Sequence, residues 1–194
     1  FNQIRKMKIR LKHDGLFRKS LENPIVAKQF LDSYLPEEIK ALIKPESLKL
    51  EKESFVEDNL RNSISDVLFS VQYNDAPGYL YCLLEHQSKA DEFMAFRLLK
   101  YMINICDRHL LLYPKSTHLP LVYPLVLFNG KGDYNVAKDL WSLFAYKELT
   151  KDVWAGEHQV VNVHEIPDEK LKEKAWSGIM QFFLKHIHER DLLK

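Results

Sequence analysis

The sequence predicts an α/β fold with a mixed central sheet flanked by helices, on three observations. Two apolar runs rich in strand-forming residues, Asp66 to Tyr73 and Tyr79 to Gln87, are separated by Asn-Asp-Ala-Pro-Gly and read as a hairpin. A long helical pattern follows from about Glu92 to Leu112. It is followed by a nearly continuous apolar run, Leu119 to Phe128, which implies a strand buried on both faces. Strand, strand, strand, long helix, strand is the order that builds a mixed sheet.

The hairpin is the centre of the functional reading. Polar side chains stand only at its outer ends, Asp66 on the first strand and Glu85 and Gln87 on the second. Folding brings those ends together beside an apolar sheet, and hard oxygen ligands so placed suit a divalent cation. Register decides the matter, because side chains alternate faces along a strand and paired residues share one. If Tyr73 pairs with Tyr79, Asp66 faces His86. A register one residue to either side, or a bulge, sets Asp66 opposite Glu85 or Gln87. The metal-site reading therefore requires that odd offset; the alternative is a pair of ordinary polar strand ends.

Residues Arg5 to Lys12 carry five basic side chains, Arg10 and Lys12 among them: a solvated arm or a phosphate-contacting one. A helical pattern from His13 to about Tyr34 should break at Asn23-Pro24, with proline in a first turn. Asp14, just ahead of it, suits an N-cap. Pro36-Glu37-Glu38 opens a further short helix, and Leu48 to Phe55 alternates as a half-exposed strand. Glu57 and Asp58 fall in the polar link to the hairpin. Asp91 caps the long helix, whose broad apolar stripe makes it a core helix. Arg97, Lys100, Asn104 and Arg108 form a polar row on its other side, facing phosphates or water.

Beyond Phe128, Gly130-Lys131-Gly132 is too short for a phosphate-binding loop and reads as a turn. Asp139 to Tyr146 is a short segment with Trp141 and Phe144 packing. His158 to His164 reads as a strand, and Asp168 to about Arg190 as one final helix. Glu157-His158-Gln159 repeats the triplet at Glu85, but it starts a segment instead of ending a buried strand and is treated as a decoy. His186 and His188, two apart on a helix, diverge and make no metal pair.

Composition bounds the rest. At 194 residues the chain suits one domain spanning 1–194, and 46% hydrophobic residues suffice for a core. A formal charge of +1 leaves only local patches to attract nucleic acid. Two cysteines, Cys82 and Cys106, lie in apolar or helical surroundings with no disulfide or zinc spacing, which points to a reducing, cytoplasmic setting. No apolar run has the length of a membrane span or a signal peptide, so no membrane partner is expected. The opening residue is Phe1, as in a fragment of a longer chain.

Among catalytic classes, the sequence lacks a Gly-x-Ser-x-Gly elbow and its histidines lack zinc-ligand spacing. Carboxylates with a divalent ion remain. Magnesium on Asp66 and Glu85 would bind a phosphate oxygen and acidify a water. Gln87, being neutral, would orient that water or bond the phosphate but not act as base.

An Asp, an apolar strand, then Glu-x-Gln and a helix resembles the PD-(D/E)xK nuclease superfamily, in a variant with glutamine for lysine. Five ordered blocks narrow the likeness: His13-Asp14-Gly-Leu-Phe-Arg-Lys-Ser-Leu, Phe55-Val-Glu-Asp-Asn-Leu-Arg, Ser65-Asp-Val-Leu-Phe-Ser-Val, Leu84-Glu-His-Gln-Ser and Met94-Ala-Phe-Arg-Leu-Leu-Lys-Tyr. Together, over Lys12 to His188, they resemble the recombination-promoting nuclease (Rpn) family, whose members are also labelled transposases. The resemblance implies a restriction-endonuclease-like core and a magnesium-dependent DNA endonuclease of mobile-element type, with calcium as an alternative ion. It implies Asp14, Asp66, Glu85 and Gln87 as the active set, with Asp14 joining Asp66 and Glu85 at the metal. Arg97, Lys100 and Arg108, with Arg10 and Lys12, would hold the DNA backbone with weak sequence preference. Family members usually carry more chain beyond this point, so the C-terminal region that the family uses for self-association is expected to be missing or shortened here; a homodimer stays a candidate state. The rival is a nuclease fold kept for DNA binding or dimerisation without catalysis; a third reading takes RNA as substrate.

Overall fold

The computed structural model describes residues 15–51, 66–85 and 90–187. It divides into two compact units, one up to Ala145 and one from Tyr146.

In the first unit, residues 15–21 are helical (α1), and the chain breaks where expected. Asn23 accepts from the Ile25 amide through its side chain at 3.0 Å, and Pro24 opens α2 (Pro24–Tyr34). Ala27 and Leu31, four apart, are its buried face. After the short α3 (Glu37–Lys40) comes β1, which pairs as only Lys49–Leu50 among the described residues. The rest of the expected first strand, from residue 52, lies outside them, as do Glu57 and Asp58.

The hairpin is β2 (Asp66–Tyr73) and β3 (Ala76–Glu85). Its turn is tighter than the sequence suggests: Tyr73 pairs with Ala76, and only Asn74 and Asp75 lie between. Asn74 takes φ 52°, a left-handed conformation that asparagine tolerates, and its amide donates to the Leu42 carbonyl. Ala76, Pro77 and Gly78 therefore belong to the strand, not to the break. Gly78 is demanded by close approach, since a Cβ there would run into the Tyr73 ring and stand 2.7 Å from the Leu121 carbonyl oxygen.

From β3 the chain passes through α4 (Met94–Leu112) to β4 (Leu121–Phe128), which lies parallel to β3. The four-stranded sheet has the order β1-β2-β3-β4 and is mixed. On one face, Val67, Phe69, Val71, Leu80 and Cys82 pack with Leu21, Ala27 and Leu31 of the N-terminal helices. On the other, Leu68, Tyr79, Tyr81 and Leu83 pack with Met94, Tyr101 and Ile105 of α4. A mixed sheet between helices is the predicted class, and it is compatible with a restriction-endonuclease-like core.

Two expectations for this unit need correction. β4 is not buried on both faces: it is the edge strand and is mostly half-exposed beyond Val122. Pro124, which cannot donate to a ladder, is consistent with an edge. Nor is α4 enclosed. Met94, Ala95, Tyr101, Ile105 and His109 are buried, while Phe96 and Ile103 face outward at 43% and 50% exposure. Cys82 is fully buried, and burial pushes its thiol up to about 12, so it is no reactive thiolate.

The second unit holds α5 (Lys147–Ala155), α6 (Asp168–Lys172) and α7 (Ala175–His186). The expected strand from His158 to His164 is absent. Val160 and Val161 are exposed and the stretch ends in one tight helical turn, Val163–Glu165. β-branched residues do not make a strand without a ladder partner. The single final helix is also corrected. It breaks between α6 and α7, where Ala175 takes φ 47°, and Gly178 lies against the Leu171 carbonyl, where no Cβ would fit. Lys185 donates to Asp168 at 2.7 Å, and this bond holds the Asp168 carboxyl below its usual range. No described helix is long and apolar enough to cross a membrane.

Candidate active site

The open end of the hairpin sets the geometry. Asp66 pairs with Leu83, so Glu85, two residues further along β3, lies on the same face of the sheet as Asp66. The register is not the one expected: Tyr73 pairs with Ala76, three residues from the Tyr73–Tyr79 pairing. Asp66 therefore stands diagonal to Glu85 and not opposite it, and only the shared face survives from the metal reading. Side chains in such a diagonal spring from points roughly 7–8 Å apart, close enough for two carboxylates to reach one ion at about 2 Å from each oxygen. The donor chemistry therefore fits a hard cation. Among the described residues no group of three metal-ligating side chains occurs; Asp14 and Gln87, which would complete the set, lie outside them, as do Arg10 and Lys12.

Asp66 is held from two sides. The buried Tyr81 hydroxyl donates to its Oδ2 at 2.6 Å, and Arg18 donates to its backbone carbonyl at 3.2 Å. Burial and the neighbouring Asp66 charge push the Tyr81 phenol far above its ordinary value, so it remains a donor at any working pH. Tyr81 shares this face because it pairs with Leu68, two residues beyond Asp66. The Tyr101 phenol, on α4, is likewise raised by burial and by Asp66.

Glu85 ends β3 at only 4% exposure. Its Oε2 accepts from Arg97 Nη2 at 3.2 Å, while Arg97 Nη1 donates to Asp91 Oδ2, also at 3.2 Å. Burial alone would lower the Arg97 pKa, but the charges of Glu85 and its neighbours outweigh it and raise the value. Arg97 is thus not on the solvent row expected for it. The rotation of α4 that buries Met94 and Tyr101 turns this side chain toward the sheet's acidic end. Lys100 remains exposed and Arg108 is half-buried.

Asp91 is not the cap expected of it, since α4 starts from Phe93 with no side-chain cap, but its Oδ1 accepts from the Phe93 amide at 2.9 Å in the turn before the helix. Its second task, sharing Arg97 with Glu85, has no counterpart in the sequence reading. Tyr81 was also missed, because an aromatic in an apolar strand is usually core. Only the register reveals that its hydroxyl reaches Asp66. Tyr134, against the Phe128 ring at 5.3 Å, completes the surroundings; burial and the Glu85 charge raise its phenol. The Glu157 triplet is wholly exposed and belongs to no sheet, as a decoy should.

Residues 11–194 match the family described as "Putative transposase, YhgA-like". The chain is 37% identical over 182 residues to recombination-promoting nuclease RpnA of Escherichia coli strain K12, covering 93% of this chain and 62% of that protein. It is 35% identical over 184 residues to RpnC of the same strain, covering 93% and 60%. A third K12 relative, 34% identical over 183 residues with 93% and 60% covered, is named inactive recombination-promoting nuclease-like protein RpnE. The chain thus spans about three fifths of the length of these relatives. No solved structure matches it.

Proposed function

The chain belongs to the YhgA-like transposase family, which includes recombination-promoting nuclease relatives, and from that premise we propose that it is a metal-dependent endonuclease hydrolysing phosphodiester bonds in DNA. The observation that carries the reading is the placement of Asp66 and Glu85 on one face at the open end of the β2–β3 hairpin. These two carboxylates, joined by Asp14, would hold magnesium or calcium, which supplies charge neutralisation at the scissile phosphate and a water of lowered pKa.

The remaining work falls to the chain's own side chains. Tyr81 fixes the Asp66 carboxylate by its 2.6 Å bond, so the ligand need not be ordered when the ion arrives. Arg97 balances the charge of buried Glu85 and can turn to a phosphate oxygen once a cation takes over that task. Gln87 would orient the attacking water through its amide. Lys100, Arg108, Arg10 and Lys12 would contact the backbone, which gives affinity without base reading and hence weak sequence preference. In the cell such an enzyme would promote recombination.

Plasmid nicking tests the proposal. Magnesium-dependent nicking should be lost in Asp66→Ala while the thermal unfolding profile is kept; undiminished cleavage by that variant refutes the assignment. A second reading, binding or dimerisation without catalysis, is favoured by the inactive relative RpnE and by the guanidinium already seated on Glu85. Under it, millimolar magnesium or calcium leaves the melting temperature unchanged and no DNA is cut.

A further inference from the structure

One polar group at the acidic end has no task in the proposed hydrolysis. Phe128 ends β4 and pairs with Glu85, so the two side chains share the face that also carries Asp66 and Tyr81. The Asn129 amide, next in the chain, donates to the Glu85 carbonyl at 2.8 Å and anchors the following loop to the end of β3. From that loop Tyr134 sets its ring edge-on against Phe128, with centroids 5.3 Å apart and planes at 71°. Its phenol lies in the field of Glu85, Asp91 and Arg97; burial and the two carboxylates raise it, so it keeps its proton. The residue is only half-buried. Among the described residues its hydroxyl has no hydrogen-bond partner, and it is not sealed from solvent.

The neighbouring donors are committed. Tyr81 donates to Asp66, and Arg97 donates to both Glu85 and Asp91. The oxygens of a phosphodiester only accept hydrogen bonds, so a phosphate arriving here needs a donor that is not already spent. A neutral donor suits the place, because a further cation beside Glu85 would compete with a metal ion for the same carboxylate. The geometry points to Tyr134 as a substrate-binding residue whose hydroxyl donates to a non-bridging oxygen of the phosphodiester held beside Glu85. The assignment rests on the proposed nuclease function and adds a contact to it. Phe128 supports the ring and the hydroxyl makes the contact, so phenylalanine at position 134 keeps the support and loses the donor.

Fluorescence anisotropy of a labelled duplex oligonucleotide in magnesium, with gels to show that it stays intact, tests this as a cycle of two changes. Tyr134→Phe should weaken binding of phosphodiester DNA by about tenfold, the size expected of one hydrogen bond to a charged acceptor. Replacing the non-bridging oxygens by sulfur, a poor acceptor, should weaken binding by the parent chain, and Tyr134→Phe should add little on that probe. Losses that sulfur causes at the metal or at other phosphate contacts are common to both chains and cancel in the cycle. Without DNA, the melting temperature and the magnesium midpoint of thermal stabilisation should stay near those of the parent, since the ring and both carboxylates are kept. Equal affinity of parent and variant for phosphodiester DNA, or an equal loss on both probes, overturns the inference; magnesium-dependent nicking by the parent then leaves the nuclease function standing. A shifted magnesium midpoint would assign Tyr134 to the metal and overturn it likewise. A parent chain that magnesium neither stabilises nor activates sinks the nuclease function, and this contact with it.

Discussion

Arg97 Nη2 lies 3.2 Å from Oε2 of Glu85, so the buried carboxylate that ends β3 is balanced by a cation from the first turn of α4. The same guanidinium reaches Asp91, which ties the loop before the helix to the end of the strand. Removing one partner of such a pair leaves a charge where water reaches it poorly. Because Arg97 keeps 28% of its side chain exposed, Arg97→Met should cost about 2 kcal/mol, less than a fully buried pair would. Urea denaturation should show Glu85→Gln recovering part of that loss in the double variant. If the proposed metal site is correct, Arg97→Met also binds magnesium more tightly, because no guanidinium must be displaced. A magnesium titration followed by thermal shift reads this without any cleavage assay.

Tyr81 gives a second test, on the other carboxylate. Its hydroxyl donates to Asp66 Oδ2 from a residue that is 1% exposed. Tyr81→Phe keeps the ring and removes only the donor, so the core should pack as before. A hydrogen bond to a charged acceptor is worth about 1.5–3 kcal/mol, and the partial exposure of Asp66 puts the expected loss near the lower end. A support of this kind alters metal affinity by roughly 10–100-fold. Magnesium-induced stabilisation should therefore shift to higher concentration in Tyr81→Phe, while Tyr101→Phe, whose hydroxyl is not a donor to Asp66 among the described residues, serves as the matched control. An unchanged magnesium midpoint would remove Tyr81 from the site.

The fold was legible wherever one local signal dominated. Asn23-Pro24 split two helices because a cap and a fixed proline φ act within four residues. The long helix and the flanking strands followed from periodicity. What failed were features decided at a distance. The two-residue turn was hidden because Ala76-Pro77-Gly78 looks like a loop, yet Gly78 is there for β4's approach and the Tyr73 ring. Val160 and Val161 have strand propensity but no neighbouring strand to bond. The face shared by Asp66 and Glu85 could be posed as a parity question from sequence, and the register answered it. The Tyr81 contact hung on that same register, and the Arg97 contact could not be posed at all, since it depends on which way α4 is rotated over the sheet.

His109 makes the stability of the fold dependent on pH. It is 1% exposed, its Nδ1 lies 2.9 Å from the Tyr79 hydroxyl, and burial lowers its pKa from the ordinary value. In the folded state it is therefore neutral where the unfolded chain, with a histidine pKa of about 6.5, has begun to take up a proton. The unfolded state binds more protons, so stability rises with pH through this window and is lost as pH falls below about 6.5. Carboxylates with lowered values, such as Asp75 beside Lys44, act only nearer the carboxylate range and do not blur it. Melting temperature should fall between pH 6.5 and 5 in the parent chain, roughly the interval set by the reference histidine value. In His109→Phe, which keeps an aromatic ring in the contact with Tyr113, that slope should flatten.

Gly78 offers the sharpest packing prediction, because two opposing effects differ in size. Alanine in place of glycine within a strand gains roughly 0.5–1 kcal/mol by restricting the unfolded chain. At Gly78, however, the added methyl would stand 2.7 Å from the Leu121 carbonyl oxygen and would strike the Tyr73 ring. The ring cannot simply swing away, since its hydroxyl donates to the Tyr79 carbonyl at 3.3 Å. Overpacking of a fixed neighbour costs about 1–3 kcal/mol, so Gly78→Ala should be destabilising by a net of about 1–2 kcal/mol in urea. Adding Tyr73→Leu should recover only part of it, because the Leu121 contact is with backbone and persists whatever side chain stands at position 73. Full recovery in the double variant would show that the ring alone excludes a side chain, and that β4 is free to give way at its first pair with β3.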